Sequence, residues 1–180
     1  MEKGRMIVIT GSPGTGKTTI AQIMAEESTM EKSVHMHTDD FYQLLVKGSI
    51  PPYVPESAAQ NQIVIEAFLQ AAKRYADGGY DVIVDGVLGP WFLDPWLKTA
   101  EQGYEVHYVI LRASEEETKR RAISRKKLDR QTNEEIVTVM WKQFCDLGDY
   151  ERHVVDTELL SVSQTVLRVQ EIVANRTMTL

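Results

Sequence analysis

The sequence predicts an α/β fold in three layers, a five-stranded and mostly parallel sheet with helices on both faces. Three observations predict it. Short apolar runs alternate along the chain with longer stretches of helical period. Two of those runs, residues 6–10 and 82–84, are apolar almost throughout, as strands buried on both sides are. The first run leads directly into a glycine-rich turn, and the turn leads into a helix-forming stretch.

The elements follow in order. Met6–Thr10 (MIVIT) is the first strand, and residues 17–27 form the helix after the turn. Val34–Thr38 (VHMHT) is the second strand, with a helix expected to start at Phe41 and to be capped by Asp40. Three prolines in "IPPYVP" prevent regular structure, so residues 47–55 are a loop. The run 56–77 opens after Pro55, carries apolar residues at helical spacing, and closes on Gly78 and Gly79, which accept the positive φ of a C-cap. Strands then come at Asp81–Asp85, Glu105–Leu111 and His153–Asp156. Helices are expected near 115–127, 134–146 and 161–175, the first and last with capping-box pairs Ser114/Glu117 and Ser161/Gln164.

Size and composition narrow the setting. The 180 residues fit one domain over 1–180, with no linker or repeat, and 43% hydrophobic with 26% charged residues describes a soluble globular chain. A net charge of -6 argues against wholesale binding to nucleic acid or to an anionic membrane. The apolar stretch near the N-terminus is too short for a signal-peptide core or a membrane span, so a cytoplasmic location is expected. The single cysteine, Cys145, has no internal disulfide partner and is expected to be a buried, inert residue on a helix. No heptad pattern sets an oligomeric state, and a homo-oligomer stays open.

The turn "GSPGTGKTT" carries the chemistry. Gly11, Gly16, Lys17 and Thr18 fill the spacing G-x-x-x-x-G-K-[ST] between a strand and a helix. Gly11, Ser12, Pro13, Gly14, Thr15 and Gly16 let backbone N–H groups turn inward around an anion, and Lys17, Thr18 and Thr19 open a helix whose positive end faces it. Lys17 reaches the β and γ phosphates of a nucleoside triphosphate, and the Thr18 hydroxyl ligates Mg²⁺. The spacing does not fit the dinucleotide fingerprint G-x-G-x-x-G.

Acidic residues end two strands. Carboxyl ends of strands border the ligand crevice in open α/β sheets, which brings Asp85 near the phosphates as a second Mg²⁺ ligand. "HTDDF" supplies paired acids, of which Asp39, nearer the strand end, is the candidate base for an attacking hydroxyl. The stretch "KRRAISRKKLDR", residues 119–130, holds seven of the twenty Lys and Arg. Arg121, Arg125 and Arg130 within it suit a lid, about 119–131, that stabilises a phosphoryl group in flight. His35, His37, His107 and His153 lack metal-ligand spacing and read as core or surface residues. Trp91, Phe92 and Trp96 wall an acceptor pocket or pack the core.

On these residues the sequence resembles a P-loop kinase of the nucleoside-monophosphate-kinase-like group. It is most similar there to the chloramphenicol phosphotransferases and their small AAA-type ATP-binding relatives, with gluconate kinase and polynucleotide kinase more distant. The resemblance implies the three-layer P-loop NTP hydrolase fold, ATP held by residues 11–18, an acceptor hydroxyl at Asp39, and an arginine-bearing lid carrying Arg121, Arg125 and Arg130. "GGYDVIVDGVLG" resembles the third strand and its exit, and "HVVDT" the last strand, which passes near the adenine ring. The expectation is an ATP- and Mg²⁺-dependent phosphotransferase whose partners are ATP and a small hydroxylated acceptor, antibiotic- or sugar-like. A kinase for nucleosides or polynucleotide ends, and an ATPase module acting through a protein partner, are the alternatives. The basic residue that follows the acids in polynucleotide kinases is missing from "DDFYQLL", and no N-K-x-D stretch selects guanine.

Overall fold

The computed structural model describes residues 3–123 and 130–180. Five strands, β1 (Met6–Thr10), β2 (Ser33–His37), β3 (Asp81–Asp85), β4 (Val106–Arg112) and β5 (Val154–Asp156), lie in the order β2-β3-β1-β4-β5. Every neighbouring pair among them is parallel. Seven α-helices accompany them among the described residues: α1 (Lys17–Glu26), α2 (Thr38–Gln43), α3 (Ala58–Asp77), α4 (Asp94–Glu101), α5 (Glu115–Ile123), α6 (Arg130–Gln143) and α7 (Val162–Ala174).

Alternation along β1 explains the three layers. Met6 and Val8 join one buried cluster with Phe68, Trp96 and Phe144, under α3 and α4. Ile7 and Ile9 point the opposite way and join Ile20, Met24, Val166 and Val169 under α1 and α7. A strand covered on both faces has no place for a polar residue until its end, where Thr10 accepts a hydrogen bond from the Leu88 backbone N–H at 2.8 Å. At the far end of β4 the chain's last residues add an antiparallel bridge, His107 with Thr179.

Strand register then builds the crevice. His37 of β2 and Ile9 of β1 both sit opposite Asp85 of β3. The exits of the three strands therefore lie side by side. The phosphate loop leaves one, Asp85 ends the second, and the paired acids follow the third.

Several expectations shift. Helix α2 starts at Thr38, so Asp39 and Asp40 both lie in its first turn and neither is the N-cap, which is His37. Two carboxylates in a first turn favour the helix dipole, and that makes a separate capping side chain unnecessary. Helix α4 was not expected, although Pro95 in its opening turn and Gly103 at φ 83 beyond its end are ordinary start and stop signals. Only Gly79 takes the positive φ after α3, while Gly78 is the C-cap at φ -80. The Ser161–Gln164 capping box forms in full. In the other, Ser114 Oγ accepts from the Glu117 N–H, but the Glu117 carboxylate turns to Arg120 and Arg121. Cys145 is exposed rather than buried, because α6 ends at Gln143 and the cysteine falls in the turn beyond it.

Candidate active site

The phosphate loop is a backbone feature enforced by its glycines. Gly14 has φ 93, and a Cβ there would lie 2.5 Å from the Thr118 carbonyl of α5. Gly16, at φ 91, is the N-cap of α1 and brings no side chain to the helix end. The opening N–H groups of α1 thus keep their positive end for an anion. Ser12, Thr15 and Lys17 are buried, and the loop closes on the Ser12 carbonyl, which accepts from Thr15 Oγ1 at 2.9 Å and Lys17 Nζ at 3.0 Å. Pro13 is half-buried, whereas Thr18 and Thr19 are exposed at the mouth.

Asp85 sits opposite that mouth with no solvent exposure. Its Oδ2 accepts a hydrogen bond from Thr18 Oγ1 at 2.7 Å. Its Oδ1 lies 2.7 Å from His35 Nε2 and 3.1 Å from His37 Nδ1, the second contact an ion pair poorly aligned for a hydrogen bond. Burial opposes ionisation of this carboxylate, but the two imidazoles and the hydroxyl outweigh it and hold Asp85 well below the usual carboxylate range. His35 also meets Gln22 Oε1 at 2.9 Å through Nδ1.

Asp39 belongs to the same chain of contacts. His37 Nε2 lies 3.3 Å from Asp39 Oδ2, so one imidazole stands between the buried Asp85 and the exposed Asp39. Asp39 first, then Asp85, holds the His37 imidazole up to about 10 against the opposing effect of burial. Nearby Tyr42 is pushed up by burial and by the Asp39 charge. The strand exits are packed tightly enough to fix this spacing, because a Cβ on Gly86 would overlap Thr38 Oγ1.

The other expected site residues divide. α5 packs on the phosphate loop, where Gly14 meets Thr118 and Ala122. Arg121 there pairs with Glu117 at 2.6 Å and donates to the Thr157 carbonyl at 3.2 Å, beside the exit of β5. Arg125 lies outside the described residues, and so does the side chain of Arg130 at the start of α6. Trp96 is wholly buried core, Phe92 packs against that core, and Trp91 is exposed with its ring 5.3 Å from Phe144. A groove between β5 and α7, lined by Asp156, Leu160 and Leu167, and another between α1 and α7 at Arg5 and Met24 both lie away from the Thr18–Asp85 pair.

His35 and His37 are the site residues that spacing alone did not single out. The signal was present. Alternation in "VHMHT" puts both on one face of β2, the face adjoining the end of β3.

The profile of the family described as AAA domain matches residues 7–140. The chain belongs to that family. The match runs from β1 through the phosphate loop, the acids after β2, Asp85 and α5 into α6. Among curated relatives of this AAA-domain protein, cytidylate kinase from Archaeoglobus fulgidus is 33% identical over 88 residues, 48% of each chain. The alignment spans about half the length of that relative. Among solved structures, the tunicamycin resistance protein of Deinococcus radiodurans superposes with a TM-score of 0.66 at 22% identity, covering 95% of this chain and 96% of that one. A gluconokinase from Sinorhizobium meliloti 1021 superposes with a TM-score of 0.61 at 17% identity, covering 97% and 96%. The AAA-domain protein therefore has the fold of the P-loop kinases. No helix among the described residues is long and apolar enough to cross a membrane.

Proposed function

We propose that this protein is an ATP-dependent kinase that moves the γ-phosphoryl group of ATP to a hydroxyl of a small molecule, antibiotic- or sugar-like. The observation that carries the reading is the placement of Thr18 and Asp85, 2.7 Å apart at the mouth of the phosphate loop, with Asp39 joined to Asp85 through His37. Asp39 stands on the open side of that pair, where an exposed carboxylate can meet an acceptor hydroxyl. The names of the cytidylate kinase and the gluconokinase support phosphoryl transfer as the reaction class.

The roles follow from position. Loop N–H groups from Gly11 to Gly16, together with the start of α1, cradle the phosphates. Thr18 Oγ1 and Asp85 Oδ2 are hard oxygen donors side by side, and Asp85 is ionised, so the pair fits Mg²⁺ held directly or through water. Bound Mg²⁺ supplies neutralisation of charge on the β and γ phosphate oxygens. His35 and His37 fix the remaining Asp85 oxygen so that Oδ2 faces the loop. Asp39 orients the acceptor hydroxyl and takes its proton as the new oxygen–phosphorus bond forms and the bond to the β-phosphate oxygen breaks, releasing ADP. Lys17, with Arg121, Arg125 and Arg130 from the lid, stabilises negative charge on the moving phosphoryl group. Arg121 must exchange its Glu117 and Thr157 partners to do so.

The test is ADP formation from Mg·ATP with purified protein and a panel of hydroxylated acceptors, with product mass measured in parallel. Acceptor-dependent ADP matched by a phosphorylated product is expected. ADP formed at one rate whatever is added would overturn the reading.

A further inference from the structure

We infer that Gln22 and Glu26 of α1 are positioning residues for the metal pair: acting through His35, they fix Asp85 with Oδ2 toward Thr18. This rests on the kinase reading above, in which Thr18 and Asp85 hold Mg²⁺, and it extends that site along the outer face of α1.

The helix supplies the alignment. Thr18, Gln22 and Glu26 recur every fourth residue within α1, so they share one face, a turn apart. Thr18 meets Asp85 Oδ2 at 2.7 Å. One turn on, Gln22 Oε1 lies 2.9 Å from His35 Nδ1, and a further turn on, Glu26 Oε1 accepts from Gln22 Nε2 at 2.7 Å. His35 Nε2 closes the circuit on Asp85 Oδ1 at 2.7 Å. One run of contacts thus leads from exposed Glu26 and Gln22, through half-buried His35, to a carboxylate with no solvent exposure.

Chemistry fixes the direction of each bond. A carboxylate only accepts, so Glu26 takes the Nε2 side of the Gln22 amide and leaves Oε1 for the ring. The amide oxygen only accepts as well, so His35 donates to it from Nδ1. On the opposite side the ionised Asp85 accepts from Nε2. The imidazole is therefore tied at both ends. Without Glu26 the amide can turn its Nε2 toward His35, donor against donor, and the ring loses its hold on one side.

Glu26 also stands where helix preference argues against it. It is the last residue of α1, where a carboxylate opposes the helix dipole, and that last turn has no basic residue. Departures from local preference gather at functional sites. Groups that hold a metal ligand from behind are worth roughly 10–100-fold in metal affinity.

The test reads binding rather than turnover, with the intact chain and adenylyl imidodiphosphate, a non-hydrolysable ATP analogue. Its Kd is measured with excess Mg²⁺ and with excess chelator, and the ratio gives the contribution of the metal. Gln22→Leu removes the acceptor for Nδ1, and Glu26→Lys removes the group that orients the amide while suiting the helix dipole better. Both are expected to reduce the Mg²⁺ enhancement about tenfold, with Kd in chelator and the urea midpoint held. Gln22→Glu keeps an acceptor and is expected to restore most of the enhancement. Wild-type enhancement in Gln22→Leu and Glu26→Lys, equal loss in both conditions, or no recovery in Gln22→Glu would each overturn the inference and leave the metal pair standing. A wild type that bound no tighter with Mg²⁺ would instead remove the Thr18–Asp85 metal site, and the inference with it.

Discussion

His35 Nε2 lies 2.7 Å from Asp85 Oδ1, and this contact turns the opposite carboxylate oxygen toward Thr18. A fully buried carboxylate depends on each such donor, since losing one partner of a buried charge leaves desolvation uncompensated. Replacement His35→Ala is therefore expected to cost about 2 kcal/mol in chemical denaturation. It should also weaken Mg²⁺-dependent nucleotide binding more than binding measured with excess chelator. Equal loss in both conditions would mean that His35 acts on the fold alone.

Glycines in the two loops predict opposite outcomes. Gly14→Ala meets both a positive φ and the Thr118 carbonyl, so it is expected to destabilise by about 3 kcal/mol and to abolish nucleotide binding. Gly48, at φ 77 in the loop after α2, has open space around its Cβ position. There the substitution carries only backbone strain, about 1 kcal/mol, and ATP affinity by fluorescence titration should be unchanged.

Gln60 holds the loop after α2 in shape through two bonds to the Ile50 backbone. Gln60→Ala removes both bonds to Ile50 and is expected to raise KM for the acceptor several-fold while Kd for Mg·ATP stays constant. Equal changes in both constants would place this loop in the nucleotide half of the crevice.

Two buried histidines set an acid limit on stability. Burial pushes His107 and His153 down from their ordinary value, against the Glu105 carboxylate in one case and the Tyr108 carbonyl in the other. In the unfolded chain both take a proton near pH 6.5. The unfolded state thus binds more protons between that value and the depressed folded ones, and stability falls as pH drops through this window. His37, held up to about 10 by Asp39 and Asp85, gains stability over the same fall in pH and opposes the pair. The readout is therefore the difference between wild type and His153→Gln in urea midpoint at pH 7.5 and 5.5: the variant should lose less, or gain more, on acidification than the wild type. An identical pH response in the two would contradict the assignment.

Much of this was legible in the sequence because the signals are local. A glycine spacing between an apolar strand and a helix specifies a phosphate loop whatever the remainder does, and continuous apolar runs specify strands covered on both faces. The positions of Asp85 and Asp39 at strand exits were legible because each closes or directly follows a strand run. Other features came from packing between segments distant in sequence. Alternation in "VHMHT" puts His35 and His37 on one face, but only the register, which pairs β2 with β3, brings that face to Asp85. Cys145 turned out exposed because α6 stops two residues before it, and a helix end without a glycine or a capping side chain gives little warning. The start of α2 moved from Phe41 to Thr38 because two acids in a first turn serve the helix dipole as well as one serves as a cap.

The most direct test compares wild type and Asp39→Asn for ADP and phosphorylated product formed from Mg·ATP and a neutral alcohol that serves as acceptor. The account predicts one phosphorylated product per ADP in the wild type and a loss of about a hundredfold or more in Asp39→Asn, with Mg·ATP affinity retained. Product formation at the wild-type rate in Asp39→Asn, or ADP release indifferent to the alcohol, would contradict it.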